Sequence, residues 1–106
     1  MKLTKRQFEV LLDIADDLKS IAHIESMLNA DGMAISKEAI VNTLGELIDG
    51  GLAEAYEYSR REDPESPAKG YTRVELRDKR PDADALWFYI THAGVKEIRR
   101  MRGEES

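Results

Sequence analysis

The chain has 106 residues, of which 42% are apolar and 35% charged, and a formal net charge of −5; this predicts one compact domain with a modest core. It contains no cysteine, which excludes disulfides, thiolate metal sites and cysteine nucleophiles, and fits the reducing cytoplasm where we expect the protein to reside. No apolar run approaches the roughly 18 residues of a membrane-spanning helix, and the acid-interrupted N-terminus without a small-residue cleavage site predicts no signal peptide.

The charge is unevenly placed. Residues 1–59 hold 5 Lys/Arg against 11 Asp/Glu, and residues 60–106 hold 11 against 10. The overall acidity argues against generic attraction to nucleic acid or an anionic membrane. The second half can still carry a local basic patch.

Thr4 opens a first helix with Phe8, Leu11, Leu12, Ala15 and Leu18 along one side. Asp16 and Asp17 fall late in it, where the macrodipole disfavours acids, so the helix should end near them. Ser20 can cap a second helix striped with Ile21, Ile24, Met27 and Leu28. Asn29, Ala30, Asp31 and Gly32 form a turn, and Met33, Ala34 and Ile35 read as a short extended piece. Ser36 then caps a third helix in which Ile40, Val41, Leu44, Leu47 and Ile48 recur at helical spacing until Gly50 and Gly51 stop it.

Residues 52–59 alternate as a strand. Residues 60–70, with two prolines, a glycine and many charges, read as a loop. Residues 71–77 alternate again, with Thr72, Val74 and Leu76 on the inner side, and 78–84 form a second charged loop containing Pro81. Residues 85–91 make the best strand in the chain: Leu86, Phe88 and Ile90 should face the core, with Trp87 and Tyr89 on the other side. Thr91 caps a last helix carrying Val95, Ile98 and Met101.

The sequence Leu47-Ile48-Asp49-Gly50-Gly51-Leu52 is similar to the joint between third helix and wing in winged helix-turn-helix transcription regulators of the PadR-like and MarR-like type. The charged segment with Arg60 and Arg61 resembles their wing, and Phe88-Tyr89-Ile90-Thr91-His92-Ala93-Gly94 resembles their passage from the last wing strand into the following helix. The resemblance spans nearly the whole chain. It implies an α+β winged-helix fold, with three helices, then a β-hairpin wing with an extra strand, then a C-terminal helix. Residues 1–102 would form that domain and 103–106 a disordered tail. The joint has its own logic: a glycine ends the helix in a left-handed turn, Leu52 tucks beneath it, and Gly94 allows close packing in the first turn of the last helix.

If the chain works as those regulators do, it binds double-stranded DNA, with the third helix in the major groove. Ser36, Lys37, Asn42 and Thr43 are then the candidate base-edge contacts, Asn suiting the N6/N7 edge of adenine. Arg60, Arg61, Lys69 and Arg73 are the candidate backbone or minor-groove contacts of the wing. The departure lies on the outer face of the helix, where Glu38, Glu46 and Asp49 stand among the readers. One wing and one helix make few phosphate contacts, so a homodimer is expected.

Each candidate has a plainer alternative. Asn42 and Thr43 serve equally well as ordinary solvated residues, and Glu62 and Asp63 can neutralise Arg60 and Arg61 locally. The wing stays ahead because Lys69 and Arg73 return on its other side. Trp87 and Tyr89 either line a partner surface or pack under the first helix. His23 and His92 are far apart in sequence and make a poor metal site, so no metal or cofactor is expected. With no nucleophile–base pair and no phosphate-binding glycine loop, an enzyme is the least favoured class. The competing function is a protein-interaction module whose acidic third-helix face meets a basic partner.

Overall fold

The computed structural model describes residues 2–58 and 70–103. The expected loop over 60–69, with Arg60, Arg61 and Lys69, and the tail at 104–106 lie outside the described residues. Helix α1 (Lys5–Asp13) is followed by β1 (Lys19–Ser20), α2 (Ile21–Ala30), α3 (Lys37–Asp49) and β2 (Ala53–Tyr58). Then come β3 (Tyr71–Val74), α4 (Leu76–Lys79), a 3-10 helix (Arg80–Ala85), β4 (Leu86–Ile90) and α5 (His92–Met101). The architecture is α+β, with five α-helices and one four-stranded antiparallel sheet among the described residues. None of these helices is long and apolar enough to cross a membrane.

The helix starts follow from their caps. Thr4 Oγ1 accepts from Gln7 N at 3.2 Å while Gln7 Oε1 accepts from Thr4 N at 2.9 Å, a reciprocal box that satisfies two otherwise orphaned donors. Ser20, Ser36 and Thr91 each accept from the amide three residues on. Helix α1 stops at Asp13, a full turn before the Asp16-Asp17 pair; Ala15 and Leu18 therefore lie beyond it, although Leu18 is still buried.

The sheet order is β1-β4-β2-β3. Strand β1 pairs Lys19 with Phe88 and Ser20 with Trp87, ahead of α2. Residues 33–35, expected to be the short extended piece, join α2 to α3 without forming a strand. On β4, Leu86, Phe88 and Ile90 are buried, in the alternation expected. Ala53, Ala55 and Val74 share their face, and these strands pack with Val10, Leu11, Ile14, Ile21, Ile24, Leu28, Ile40, Leu44 and Leu47 of the helical layer. The opposite sheet face collects all four tyrosines and the one tryptophan of the chain: Tyr56, Tyr58, Tyr71, Trp87 and Tyr89. Tyr71 meets Tyr58 and Trp87 edge-on, with ring centroids 5.4 and 5.7 Å apart.

Two segments depart from expectation. Strand β3 ends at Val74 instead of continuing to Arg77, and residues 76–85 are helical where the end of that strand, a charged loop over 78–84 and the first residue of the next strand were expected. Leu76 and Ala83, both buried, anchor this connection to the body. The burial of Leu76 agrees with the alternation of 71–77, whereas that of Ala83 is a tertiary fact that local alternation does not encode.

The handover from α3 to β2 is built from backbone. Gly51 N donates to Ile48 O and Leu52 N to Leu47 O, both at 2.9 Å, with Gly51 at φ +77°. This six-to-one closure satisfies the last carbonyls of the helix and requires the left-handed conformation that glycine adopts without strain. Thr91 Oγ1 donates to Gly51 O at 2.7 Å, and Thr91 N donates to Leu52 O at 3.0 Å, tying the start of α5 to the same turn.

Candidate nucleic-acid interface

The exposed face of α3 carries Glu38, Asn42, Glu46 and Asp49, because Ile40, Thr43, Leu44 and Leu47 take the inner positions. Three of those four outward residues are carboxylates. Glu46 is partly held, its Oε1 accepting from Gln7 Nε2 of α1 at 3.2 Å.

The candidate contacts separate into groups. Ser36 and Lys37 are exposed on the first turn, and the Ser36 hydroxyl is engaged as the cap acceptor for Ala39 N at 3.2 Å. Thr43 does not belong with them. It is 1% exposed and its Oγ1 donates to Ala39 O at 2.7 Å, so it is a core residue with a satisfied hydroxyl and cannot reach a base edge. Arg73 pairs with Glu54 at 3.6 Å, and its register opposite Tyr56 sets it on the aromatic face of the sheet, away from the readers on α3. Arg60, Arg61 and Lys69, the other wing candidates, fall outside the described residues.

Asn42 is exposed and has a partner that the sequence did not suggest. Its Oδ1 accepts from Arg80 Nη2, at the start of the 3-10 helix. Arg80 and Leu76 lie over α3 at Gly45: a Cβ there would stand 3.7 Å from Arg80 Nη1 and 3.9 Å from Leu76 Cδ2. Beside this contact runs a cavity of about 360 Å³ lined by Gly45, Ile48, Asp49, Glu75, Leu76, Arg77 and Arg80. Arg77 and Arg80 are both exposed and bring positive charge to the flank of an acidic helix. Lys79, between them in sequence, is turned to Glu57 of β2 at 3.4 Å. The only signal in the sequence was two arginines three residues apart, Arg77 at the end of an expected strand and Arg80 in the expected charged loop.

One further titratable group is buried near the helical layer. Asp13, 8% exposed, has a buried Oδ2 with no hydrogen-bond partner among the described residues. Burial raises its pKa to about 6, the carboxylates of Asp31 and Glu9 push in the same direction, and Lys19 and His23 oppose them. Lys19 itself is tied to Asp16 at 2.9 Å. Among the described residues no three of His, Asp and Glu gather as they would around a metal ion.

The chain matches no protein-family model, no curated protein and no solved structure.

Proposed function

We propose that the chain is a winged-helix module that binds duplex DNA as a homodimer and regulates transcription, of the type represented by the PadR-like and MarR-like families. The supporting observation is the strand order. A two-residue strand between α1 and α2 pairs with β4, β4 pairs with β2, and β2 follows directly from α3. That arrangement ties α3 to an inner strand of the sheet, and its exposed outer face and first turn are open to a groove. Ser36 and Lys37 at the N-terminus of α3 would approach phosphate, where the helix end favours an anion. Asn42 would read a base edge, and the segment joining β2 to β3 would supply the remaining cations.

The test is enrichment of sites from a random duplex library, followed by a salt titration of the enriched duplex. Selective binding that weakens steeply with salt is the expected result. Failure to enrich any sequence at low ionic strength overturns the proposal. Light scattering at micromolar concentration should give twice the mass of one chain, and a monomer rejects the dimer.

A protein-interaction module is the second reading, favoured by the carboxylates Glu38, Glu46 and Asp49 on the outer face of α3. They would repel phosphate and suit a basic partner. Loss of a co-purifying partner on Glu46→Lys with Asp49→Lys supports this alternative; unchanged co-purification removes that role from the face.

A further inference from the structure

We propose that Arg80 is a specificity-determining residue of the α3 surface, and that the Asn42–Arg80 pair selects guanine rather than adenine; this rests on the duplex-binding role proposed above. Three observations converge on it. Arg80 Nη2 donates to Asn42 Oδ1 across 38 residues of sequence. Its Nη1 lies over Gly45, three residues further along the same helix. Both Asn42 and Arg80 are exposed, so the pair faces outward.

The glycine leaves room for this contact. A glycine inside a helix is a worse helix former than any residue except proline, so Gly45 costs α3 helix stability. Gly45 has no positive φ, so backbone conformation does not require it. What it provides is a low seat on α3, over which the guanidinium and the Leu76 side chain can lie. A branched side chain at 45 would occupy the volume that Arg80 now takes.

The chemical consequence is directional. A guanidinium has only donors, so the Asn42 amide must turn its oxygen toward Arg80 and its Nδ2 outward. The pair then presents mainly donors: the two N–H of Nδ2 and the remaining N–H groups of the guanidinium, against one lone pair left on the amide oxygen. Guanine offers two acceptors in the major groove, O6 and N7, whereas adenine offers the N7 acceptor beside the N6 donor. A free asparagine could satisfy adenine with both amide atoms. Here one lone pair of the amide oxygen is already engaged, and a positive guanidinium beside it opposes the approach of the N6 donor. The Asn42–Arg80 pair therefore matches guanine, and it also gives this acidic helix a cation that α3 lacks at that position.

The experiment compares the sites enriched by the full chain, Arg80→Ala and Gly45→Leu, with each variant's folding checked by thermal melting. The wild type should favour guanine over adenine at one position by about 10- to 100-fold. Arg80→Ala frees the amide, and the preference there should disappear or turn to adenine. Gly45→Leu keeps the charge but displaces the guanidinium, and should lose the same preference; it decides the matter if Arg80→Ala binds too weakly to select. An enriched site unchanged in either folded variant overturns the role of Arg80 while leaving duplex binding intact. Failure of the wild type to enrich any duplex removes the parent proposal, and this one with it.

Discussion

Gly94 and Gly45 both sit inside helices and both face a neighbouring element, yet they are there for different reasons. A Cβ on Gly94 would stand 2.4 Å from Leu52 O and 2.5 Å from Ile90 Cγ1, against a backbone atom and a core side chain that have nowhere to go. A Cβ on Gly45 would meet only the outer ends of Arg80 and Leu76, at 3.7 and 3.9 Å. The first glycine belongs to a joint in which α3, β2, β4 and α5 converge through main-chain hydrogen bonds. The second belongs to a connection, residues 75–85, held to the body by two buried side chains. The joint ties these elements together through backbone; the connection lies over α3 and engages Asn42.

The largest expected effect tests the joint. Gly94→Ala forces the N-terminus of α5 away from Leu52, at the point where Thr91 is bonded to Gly51 and Leu52. Overpacking against fixed backbone typically costs about 1–3 kcal/mol, and the approach here is closer than real Cβ contacts allow, so a loss of about 3 kcal/mol is expected in urea unfolding. A loss below about 1 kcal/mol would mean that α5 can shift freely and that the joint is not rigid.

The next effect comes from the far side of the same joint, where Ile90 N donates to Ile14 O at 3.2 Å and docks the end of α1 on β4. Asp13 precedes Ile14, and its pKa is raised to about 6 in the fold from the 3.8 of an unperturbed aspartate. Between those values the folded state holds more protons than the unfolded chain. Stability should therefore be greatest below about pH 4 as far as this group is concerned, fall as the pH rises to about 6, and stay low above it. At 1.36 kcal/mol per pKa unit the ceiling is about 3 kcal/mol. Asp13→Asn should raise stability at pH 7 by about 2 kcal/mol and flatten this slope. An unchanged slope in the variant would assign the pH dependence to other groups.

The sequence made the joint legible and the connection opaque, for physical reasons. Ser36, Gly51, Thr91 and the alternation of β4 act locally, through caps, a left-handed turn and a period of two, so their neighbours in sequence announce them. Strand β1 has two residues and no alternation to detect. Residues 76–85 are mostly charged, and their order depends on the burial of Leu76 and Ala83 against elements distant in the chain. Thr43 was within reach: it lies three residues from Ile40 and four from Leu47, on the buried stripe, and its hydroxyl masked that geometry. Asn42 was correctly read as exposed on α3, but Arg80, 38 residues away, alters what its amide presents.

The smallest effect is also the sharpest for the contrast between the two glycines. Gly45→Ala adds a methyl at ordinary van der Waals distance from Arg80 and Leu76, without disturbing backbone. It also removes the entropic penalty of an interior helix glycine. The variant should therefore be more stable than the wild type, by up to about 1 kcal/mol, with the midpoint of urea unfolding raised. The same substitution at Gly94 goes the other way. If Gly45→Ala were instead destabilising by a kilocalorie or more, the connection would press on α3 as tightly as α5 presses on Leu52, and residues 75–85 would have to be counted as part of the fold's rigid frame. A stabilised variant leaves the seat beneath Arg80 as a place where this chain gives up helix stability, a concession that packing alone does not demand.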